Sequence, residues 1–180
     1  MIYVMLADGF EEIEALAFVD ILRRADIDVQ TVSTDNSNTV SGSHGISVAT
    51  DLKISDISEI GEGIVLPGGL PGTYNLRDNH NVIDLIKKHY EKGKILGAIC
   101  AAPSILGGLG LLKGKKATCY PSFEEHLTGA EYIKDKVVVD ESIVTSRGAG
   151  TAHDFALKFV EIIKGKECSD NLRSSMLYDD

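Results

Sequence analysis

The sequence predicts an α/β fold, with a mostly parallel sheet covered by helices on both faces. Short apolar runs alternate along the chain with segments of helical period. The first run, over residues 2–6, contains no residue polar enough for a solvated face, which is typical of a strand buried on both sides. Such alternation favours right-handed crossovers between parallel strands. The length of 180 residues suits one domain over residues 1–180 with one core.

In the first part of the chain, a helix is predicted between two strands. Residues 11–25 carry apolar Ile13, Leu16 and Ala17 near helical spacing, with acids first and two arginines last, as the helix dipole favours. The strands are predicted over 2–6 and 28–34. Residues 39–49 alternate in polarity and contain two glycines, so we expect a small hairpin there.

The second part of the chain repeats this alternation. Gly93 and the periodic residues before it indicate where one helix ends. The predicted strands are 63–69, 94–100, 116–120, 136–140 and 142–146. The predicted helices are 81–93, 102–112, 151–165 and a further one in the tail, within 166–177, before a loose end.

Composition and charge argue against several classes of protein. Acids outnumber bases 27 to 18, a formal net charge of -9 that disfavours nucleic acid and anionic membranes as partners. The first residues have no basic segment, and their apolar run is too short for a signal peptide or a membrane span. The three cysteines are widely spaced and form no CxxC pair, so we expect neither a disulfide framework nor a thiolate zinc site, and a cytoplasmic location.

Cys100 stands where a predicted strand ends and a helix begins, in "GAICAAP". Pro103 suits the first turn of that helix. The unpaired amides of Ala101 and Ala102 would then favour a thiolate and could hold an oxyanion. This position predicts a nucleophile on a sharp strand-turn-helix elbow. The alternative is a small buried hydrophobe, the usual state of a free cysteine.

Two glycine-rich segments were considered as binding loops. "LPGGLPG" at 66–72 follows a predicted strand, and its free amides could complete an oxyanion hole or simply form a tight turn. It is not a Walker loop, because no Lys-Ser/Thr follows. "GGLGLLKG" at 107–114 follows a helix and lacks the dinucleotide fingerprint, so we expect no nucleotide cofactor.

Three acids follow the first strand in "DGFEEIE". Glu11 and Glu12 are interpreted as solvated residues favoured by the helix dipole. Glu14 lies close to the apolar face, where burial could keep its carboxyl protonated and able to donate a hydrogen bond to sulfur. The histidines show no metal-ligand spacing, so we expect no metal. His80 and His89 are interpreted as solvated, while His44 and His126 could overhang a cleft.

Together, "ADGFEEIE", "LPGG", "GAICAAP" and "TSRGAGTAHDFAL" resemble the ThiJ/PfpI family in order and spacing, over residues 1 to about 167. The resemblance implies a flavodoxin-like three-layer sandwich, usually a homodimer. It also places the family's reactive cysteine at Cys100 and its protonated glutamate at Glu14. The facing glycine amide falls on Gly69, and the amide after the nucleophile on Ala101.

The chain also departs from the family's pattern. Ala101 stands where protease-like members carry His, so peptidase activity is not expected. Tyr120 stands where deglycase-like members carry His, and a phenol is a poor base near neutral pH. His44 aligns with an arginine that the deglycase-like members often carry in the hairpin. The "SRG" of Ser146 to Gly148 is retained.

The resemblance implies an enzyme of reactive-carbonyl repair, of glyoxalase or deglycase type. Its substrate would be a small aldehyde such as methylglyoxal, or a glycated adduct, with a hydroxy acid as the product and no cofactor. Cys100 would attack the carbonyl, Gly69 and Ala101 would bind the oxyanion, and Glu14 would move a proton. One alternative is an oxidative-stress sensor or chaperone-like dimer that uses oxidation of the same cysteine. Another is a binding module with a vestigial site.

Overall fold

The chain folds around a central seven-stranded sheet. The structure, a computed structural model, describes residues 1–178. Its strands are β1 Ile2–Leu6, β2 Val29–Ser33, β3 Thr39–Ser41, β4 Ser47–Ala49, β5 Leu52–Lys53, β6 Gly63–Leu66, β7 Ile95–Ile99, β8 Lys116–Ala117, β9 Glu131–Tyr132, β10 Val137–Asp140 and β11 Ile143–Ser146. Its α-helices are α1 Glu12–Arg24, α2 Gly72–Arg77, α3 His80–Glu91, α4 Pro103–Gly108, α5 Ala152–Lys164 and α6 Lys166–Ser175.

The strand order in the sheet is β10-β11-β7-β6-β1-β2-β5. Every neighbouring pair is parallel except β10 and β11, which are antiparallel. The predicted mostly parallel α/β fold is therefore confirmed. The predicted hairpin forms from β3 and β4, outside this sheet. The sequence analysis did not find β5, β9 or α2, which are six residues long or less.

Strand β1 shows why its residues are uniformly apolar. It lies between β2 and β6, and all five of its residues are buried. Successive side chains of a strand point to opposite faces, so Ile2, Val4 and Leu6 enter one core while Tyr3 and Met5 enter the other. A strand with apolar layers on both sides has no position left for a polar residue.

Helices cover both faces of the sheet. On one face, Phe18 of α1 packs against Phe155 and Phe159 of α5, with ring centroids 5.4 and 4.9 Å away. Burial of each phenylalanine stabilises the fold by about 1.5–3 kcal/mol. The second core contains residues of α2, α3 and α4, namely Leu76, Val82, Ile86, Ile105 and Leu106.

The carboxyl ends of β1, β6 and β7 lie side by side, since β6 pairs with both of the others. Three connections therefore meet at one edge of the sheet: the turn into α1, the glycine loop after β6, and the turn that begins at Cys100. In parallel sheets this edge is where ligands bind.

The tail forms the predicted helix, α6, which packs on α5. The predicted loose end falls partly at residues 179–180, outside the described residues. Across residues 1–178, every helix is too short or too polar to cross a bilayer.

Candidate active site

Cys100 occupies a sharp turn directly after β7. Its φ is +64°, a left-handed conformation that costs a non-glycine residue about 1–3 kcal/mol. Two backbone hydrogen bonds hold it there: Cys100 N–H donates to the Ser146 carbonyl at 3.0 Å, and Tyr120 N–H donates to the Cys100 carbonyl at 2.8 Å. The thiol is partly buried and free. The elbow predicted from the sequence is therefore present.

Glu14 projects from the first turn of α1 into the same site. It is only 1% exposed, and its Oε2 accepts a hydrogen bond of 2.8 Å from Gly68 N–H. Its Oε1 is buried and has no hydrogen-bond partner within residues 1–178. The Glu11 carboxylate caps the helix by accepting from Glu14 N–H at 2.7 Å, and this places Glu14 on the inner face.

Gly68 is the spacer between the two side chains. A Cβ added there would lie 2.5 Å from Cys100 Cβ, 2.7 Å from Glu14 Oε2 and 3.1 Å from Cys100 Sγ. No side chain fits in this position. The sequence predicted the binding amide at Gly69. It predicted no separate role for Gly68, because the two glycines are adjacent in one segment.

Two backbone amides interact with the Cys100 sulfur, those of Gly69 and Ala101. Gly69 has φ +89°, and a Cβ there would lie 2.5 Å from Glu11 N, so the loop can take this shape only with glycine. The structure thus brings the four residues singled out from the sequence together: Cys100, Glu14, Gly69 and Ala101.

The electrostatics of this pair differ from the sequence-based expectation. Burial, followed by the nearby Glu14 carboxylate, raises the pKa of the Cys100 thiol to about 12, although the amides of Ala101 and Gly69 act to lower it. Burial likewise raises the pKa of Glu14 to about 7. The expectation that helix amides leave a lowered thiol pKa was wrong, because burial of the thiol and, after it, the nearby Glu14 carboxylate outweigh the amides.

Between these two pKa values, Glu14 and Cys100 together hold one proton and one negative charge. The Gly68 amide favours the charge on the carboxylate, whereas the Gly69 and Ala101 amides favour it on sulfur. A thiolate can therefore form without a second anion when the thiol proton moves to Glu14. The Glu14 carboxyl is within hydrogen-bonding reach of the Cys100 sulfur, so it can receive that proton directly.

Glu12 is not the solvated residue that the sequence suggested. It is 4% exposed, and it accepts hydrogen bonds from His44 N–H at 2.7 Å and from the Ser43 hydroxyl at 3.3 Å. His44 Nδ1 lies 2.9 Å from its Oε2. Burial opposes ionisation, but these hydrogen bonds lower the pKa of Glu12 to about 2. Glu12 therefore anchors the β3–β4 hairpin to α1.

The interactions that affect the Cys100 thiol come from Glu14, Ala101 and Gly69, and none of these three is a histidine. His44 is exposed, and its hydrogen bond to Glu12 raises its pKa. His126 packs against Phe123 and borders a cleft with Ser104 and Tyr74. His89, interpreted as solvated, is fully buried, and its Nδ1–H donates to the Leu85 carbonyl, 2.7 Å away. Its side chain fills the space beside Tyr3, which the polar residues around it in α3 did not indicate.

Glu11, Glu12 and His44 form the one group within residues 1–178 whose acid and imidazole ligand atoms all lie within 4.8 Å of each other. Both Glu12 oxygens accept hydrogen bonds from the hairpin, and Glu11 Oε2 caps α1. We therefore interpret this group as a structural anchor.

Residues 1–162 of the chain match the DJ-1/PfpI family. "Protein DJ-1 homolog A" of Arabidopsis thaliana is 41% identical over 98% of this chain, which spans only 46% of that relative's length. The "Glutathione-independent glyoxalase DJR-1.2" of Caenorhabditis elegans is 32% identical, over 90% of this chain and 87% of the relative. The solved structure "Toxoplasma gondii DJ-1, oxidized" superposes with a TM-score of 0.95 at 36% identity, covering 99% of this chain and 98% of the other.

These likenesses confirm the resemblance found in the sequence and the flavodoxin-like sheet with its helices. The chain belongs to the DJ-1/PfpI family.

Proposed function

We propose that this protein is a cysteine-dependent enzyme that converts reactive 2-oxoaldehydes, or their adducts, into hydroxy acids. The observation that carries the proposal is the buried Glu14 carboxyl, with one unpartnered oxygen, beside the Cys100 sulfur and two backbone amides. A C. elegans relative bears the name glutathione-independent glyoxalase, which favours the same reaction class.

In the first step, Cys100 Sγ attacks the aldehyde carbon while Glu14 takes the thiol proton. A C–S bond forms, and the carbonyl electron pair moves onto oxygen. The Gly69 and Ala101 amides face the sulfur and would stabilise that developing charge. Glu14 then gives the proton it took from the thiol to that oxygen, which forms the hemithioacetal and restores the carboxylate.

In the second step, Glu14 acts as a general base on the former aldehyde carbon. It removes the hydrogen as a proton and returns a proton to the neighbouring carbon, while the hydroxyl proton moves to the neighbouring oxygen. The hemithioacetal thereby becomes a thioester through an enediol. Water then cleaves the C–S bond, which releases the hydroxy acid and restores the thiol. Methylglyoxal plus water gives lactate, so the reaction is redox-neutral overall and consumes no external oxidant.

The experiment is lactate release from methylglyoxal by the wild type, Cys100→Ser and Cys168→Ser. Cys168 is also partly buried and free, and it has no role in the proposed reaction, so it provides the matched control. We expect Cys168→Ser to keep the wild-type rate and Cys100→Ser to lose nearly all of it. Equal rates in all three proteins would refute the assignment to Cys100.

A second function, redox sensing, is supported by the partial exposure of Cys100 and by Tyr120 in place of a catalytic histidine. The thiolate would attack one peroxide to give a sulfenate and water, and a second peroxide to give a sulfinate and water. The Gly69 and Ala101 amides and a protonated Glu14 would stabilise the sulfinate oxygens. Mass spectrometry after mild hydrogen peroxide should locate a gain of two oxygens at Cys100; oxidation confined to Cys119 or Cys168 would contradict this function.

We further propose a homodimer. Ile13 on α1 is 52% exposed and Ile46 in the hairpin is 53% exposed, and Glu12 holds these two segments together. Two exposed isoleucines on adjoining elements suit an apolar contact with a second copy. Ile13→Asp should then shift the sedimentation coefficient from dimer to monomer, whereas an unchanged value would exclude this contact.

A further inference from the structure

A cavity opens beside the Cys100 turn and is not used in the proposed reaction. Its volume is about 480 Å³, and its walls come from the Tyr120 turn, the segment before β10 and the loop before α5. We call it the Arg147 cavity; it is lined by Tyr120, Pro121, Lys134, Asp135, Lys136, Arg147, Gly148, Ala149, Gly150 and Thr151.

The charge of this cavity is opposite to that of the protein. Three cations, Lys134, Lys136 and Arg147, and one acid, Asp135, line it, while the chain as a whole carries -9. Lys136 is paired, since its Nζ lies 3.1 Å from Asp154 Oδ2. Within residues 1–178, no ion pair involves Lys134 or Arg147. Two positive charges are therefore available to a ligand.

Arg147 carries the strongest sign of a missing acceptor. Its Nε is buried, yet it has no hydrogen-bond partner in the part of the chain that the structure describes. A buried donor left unpaired costs about 1–3 kcal/mol, and more when it is charged. A guanidinium binds carboxylate and phosphate groups with paired N–H donors, so an arginine in the cavity wall is suited to an anionic ligand.

The Arg147 cavity adjoins the reactive pair. Gly148, in its wall, is so placed that a Cβ would lie 3.3 Å from the Tyr120 ring and 3.9 Å from Glu14 Oε1. Tyr120, also in the wall, donates its backbone N–H to the Cys100 carbonyl, and the residue before Arg147 accepts from Cys100 N–H. The Arg147 cavity and the Cys100 turn are therefore built from the same two segments, at Tyr120 and at 146–148.

We propose that the Arg147 cavity binds a carboxylate or phosphate group of the substrate, with Lys134 and Arg147 as its ligands. The inference rests on the proposed function and narrows its substrate class to carbonyl compounds that carry an anionic group. Methylglyoxal, which is neutral, would then be a minimal substrate that leaves the cavity unfilled.

The test uses alkylation of Cys100, which needs no turnover. N-ethylmaleimide and 3-maleimidopropionate react through the same ring, but only the second carries a carboxylate. Peptide mass spectrometry gives the Cys100 rate constant with each reagent in the wild type, Lys134→Gln, Arg147→Gln, Arg147→Lys and Lys164→Gln. Lys164 ends α5 and lies outside the cavity, so it controls for the loss of one positive charge.

We expect the wild type to prefer the anionic reagent by about five- to tenfold, a preference that salt reduces. We measure this preference as the ratio of the Cys100 rate constant with 3-maleimidopropionate to that with N-ethylmaleimide. Lys134→Gln and Arg147→Gln should lower the ratio, Arg147→Lys should restore part of it, and Lys164→Gln should keep it. Lys134 is exposed, so its variant remains informative if the Arg147 variants fail to fold. Equal ratios in Lys134→Gln and Lys164→Gln would overturn the proposal.

Competition distinguishes the two anions. Inorganic phosphate and acetate are each added to the alkylation of Cys100 by 3-maleimidopropionate. If phosphate slows this alkylation more than acetate does, the cavity is assigned to phosphate esters. If acetate slows it more, the cavity is assigned to carboxylic acids. The site is excluded if neither anion slows the alkylation of Cys100 and if the variants keep the wild-type ratio of the two alkylation rate constants. If the ratio falls as expected but no lactate forms from methylglyoxal, the anion site stands and the glyoxalase function does not.

Discussion

The backbone N–H of Gly68 donates a 2.8 Å hydrogen bond to Glu14 Oε2, and this contact holds the carboxyl beside the Cys100 sulfur. The loop after β6 thus aligns an acid from α1 with a nucleophile from the end of β7. The alignment depends on position 68 having no side chain.

Gly68→Ala should therefore separate Glu14 from Cys100. The added Cβ would lie 2.5 Å from Cys100 Cβ, so the loop or the elbow must move, at a cost of about 1–3 kcal/mol in the free energy of unfolding. We expect lactate release to fall by about tenfold or more, since misplacement of reacting groups by an ångström is costly. Gly108→Ala is the matched control, because nothing lies within 4 Å of its Cβ; equal activity in the two variants would contradict the spacer role.

Glu14→Gln should slow alkylation of Cys100 at pH 7.5. In the wild type, reactivity should rise with pH through about 7, where Glu14 ionises and becomes able to accept the thiol proton. Glutamine cannot accept that proton, and burial still raises the thiol pKa, so we expect a loss of about tenfold or more at pH 7.5. The Cys168 rate in the same sample is the internal control. A variant that reacts as fast as the wild type, or faster, would mean that Glu14 only repels the thiolate.

The same substitution should stabilise the fold, and more so as pH rises. The pKa of Glu14 is raised from 4.5 to about 7, so the folded state binds its proton more tightly than the unfolded state. Stability from this group is complete below pH 4.5 and is lost as pH rises to about 7, which amounts to about 3 kcal/mol. Glutamine stays neutral and can still accept from Gly68 N–H. Urea unfolding at pH 5 and at pH 8 gives the free energy of unfolding of both proteins. The excess of Glu14→Gln over the wild type should be larger at pH 8, and an excess that is equal at the two pH values would contradict the raised pKa.

The polarity of neighbouring residues was sufficient to predict the sheet and the Cys100 turn, because buried strands are runs of apolar residues and helix starts have characteristic residues. It was not sufficient for Glu12 and His89. Glu12 is buried by a hairpin more than 30 residues away, and His89 by Tyr3 of β1. Glu14 was singled out by its position near the apolar face and by the family resemblance, but its effect on the thiol pKa depends on the distance across Gly68. Arg147 was noted only as part of a retained motif; its unpartnered Nε is a tertiary feature.

Glu12→Ala should loosen the hairpin. Glu12 accepts hydrogen bonds from the His44 backbone and side chain and from the Ser43 hydroxyl, and alanine removes all of these bonds to a charged group. We expect the free energy of unfolding to fall by about 2–4 kcal/mol at pH 7. The pKa of Glu12 is lowered to about 2, so the wild type should keep this stability above pH 4.5 and lose it as pH falls towards 2. Glu91→Ala, at the exposed end of α3, is the control, and an equal loss in both variants would exclude the anchor.

Tyr120→His should raise the rate of lactate release by supplying a second base beside Glu14. Tyr120 is 50% exposed, its backbone N–H binds the Cys100 carbonyl, and its ring lies against the Gly148 position near Glu14. An imidazole there can take the thiol proton at neutral pH, whereas a phenol is a poor base under those conditions. We expect an increase of up to about tenfold, together with a rise in rate between about pH 6 and 7. Tyr120→Asn offers a polar side chain of similar size without a base; an equal increase in that variant would show that removal of the phenol ring, and not proton transfer, accelerates the reaction.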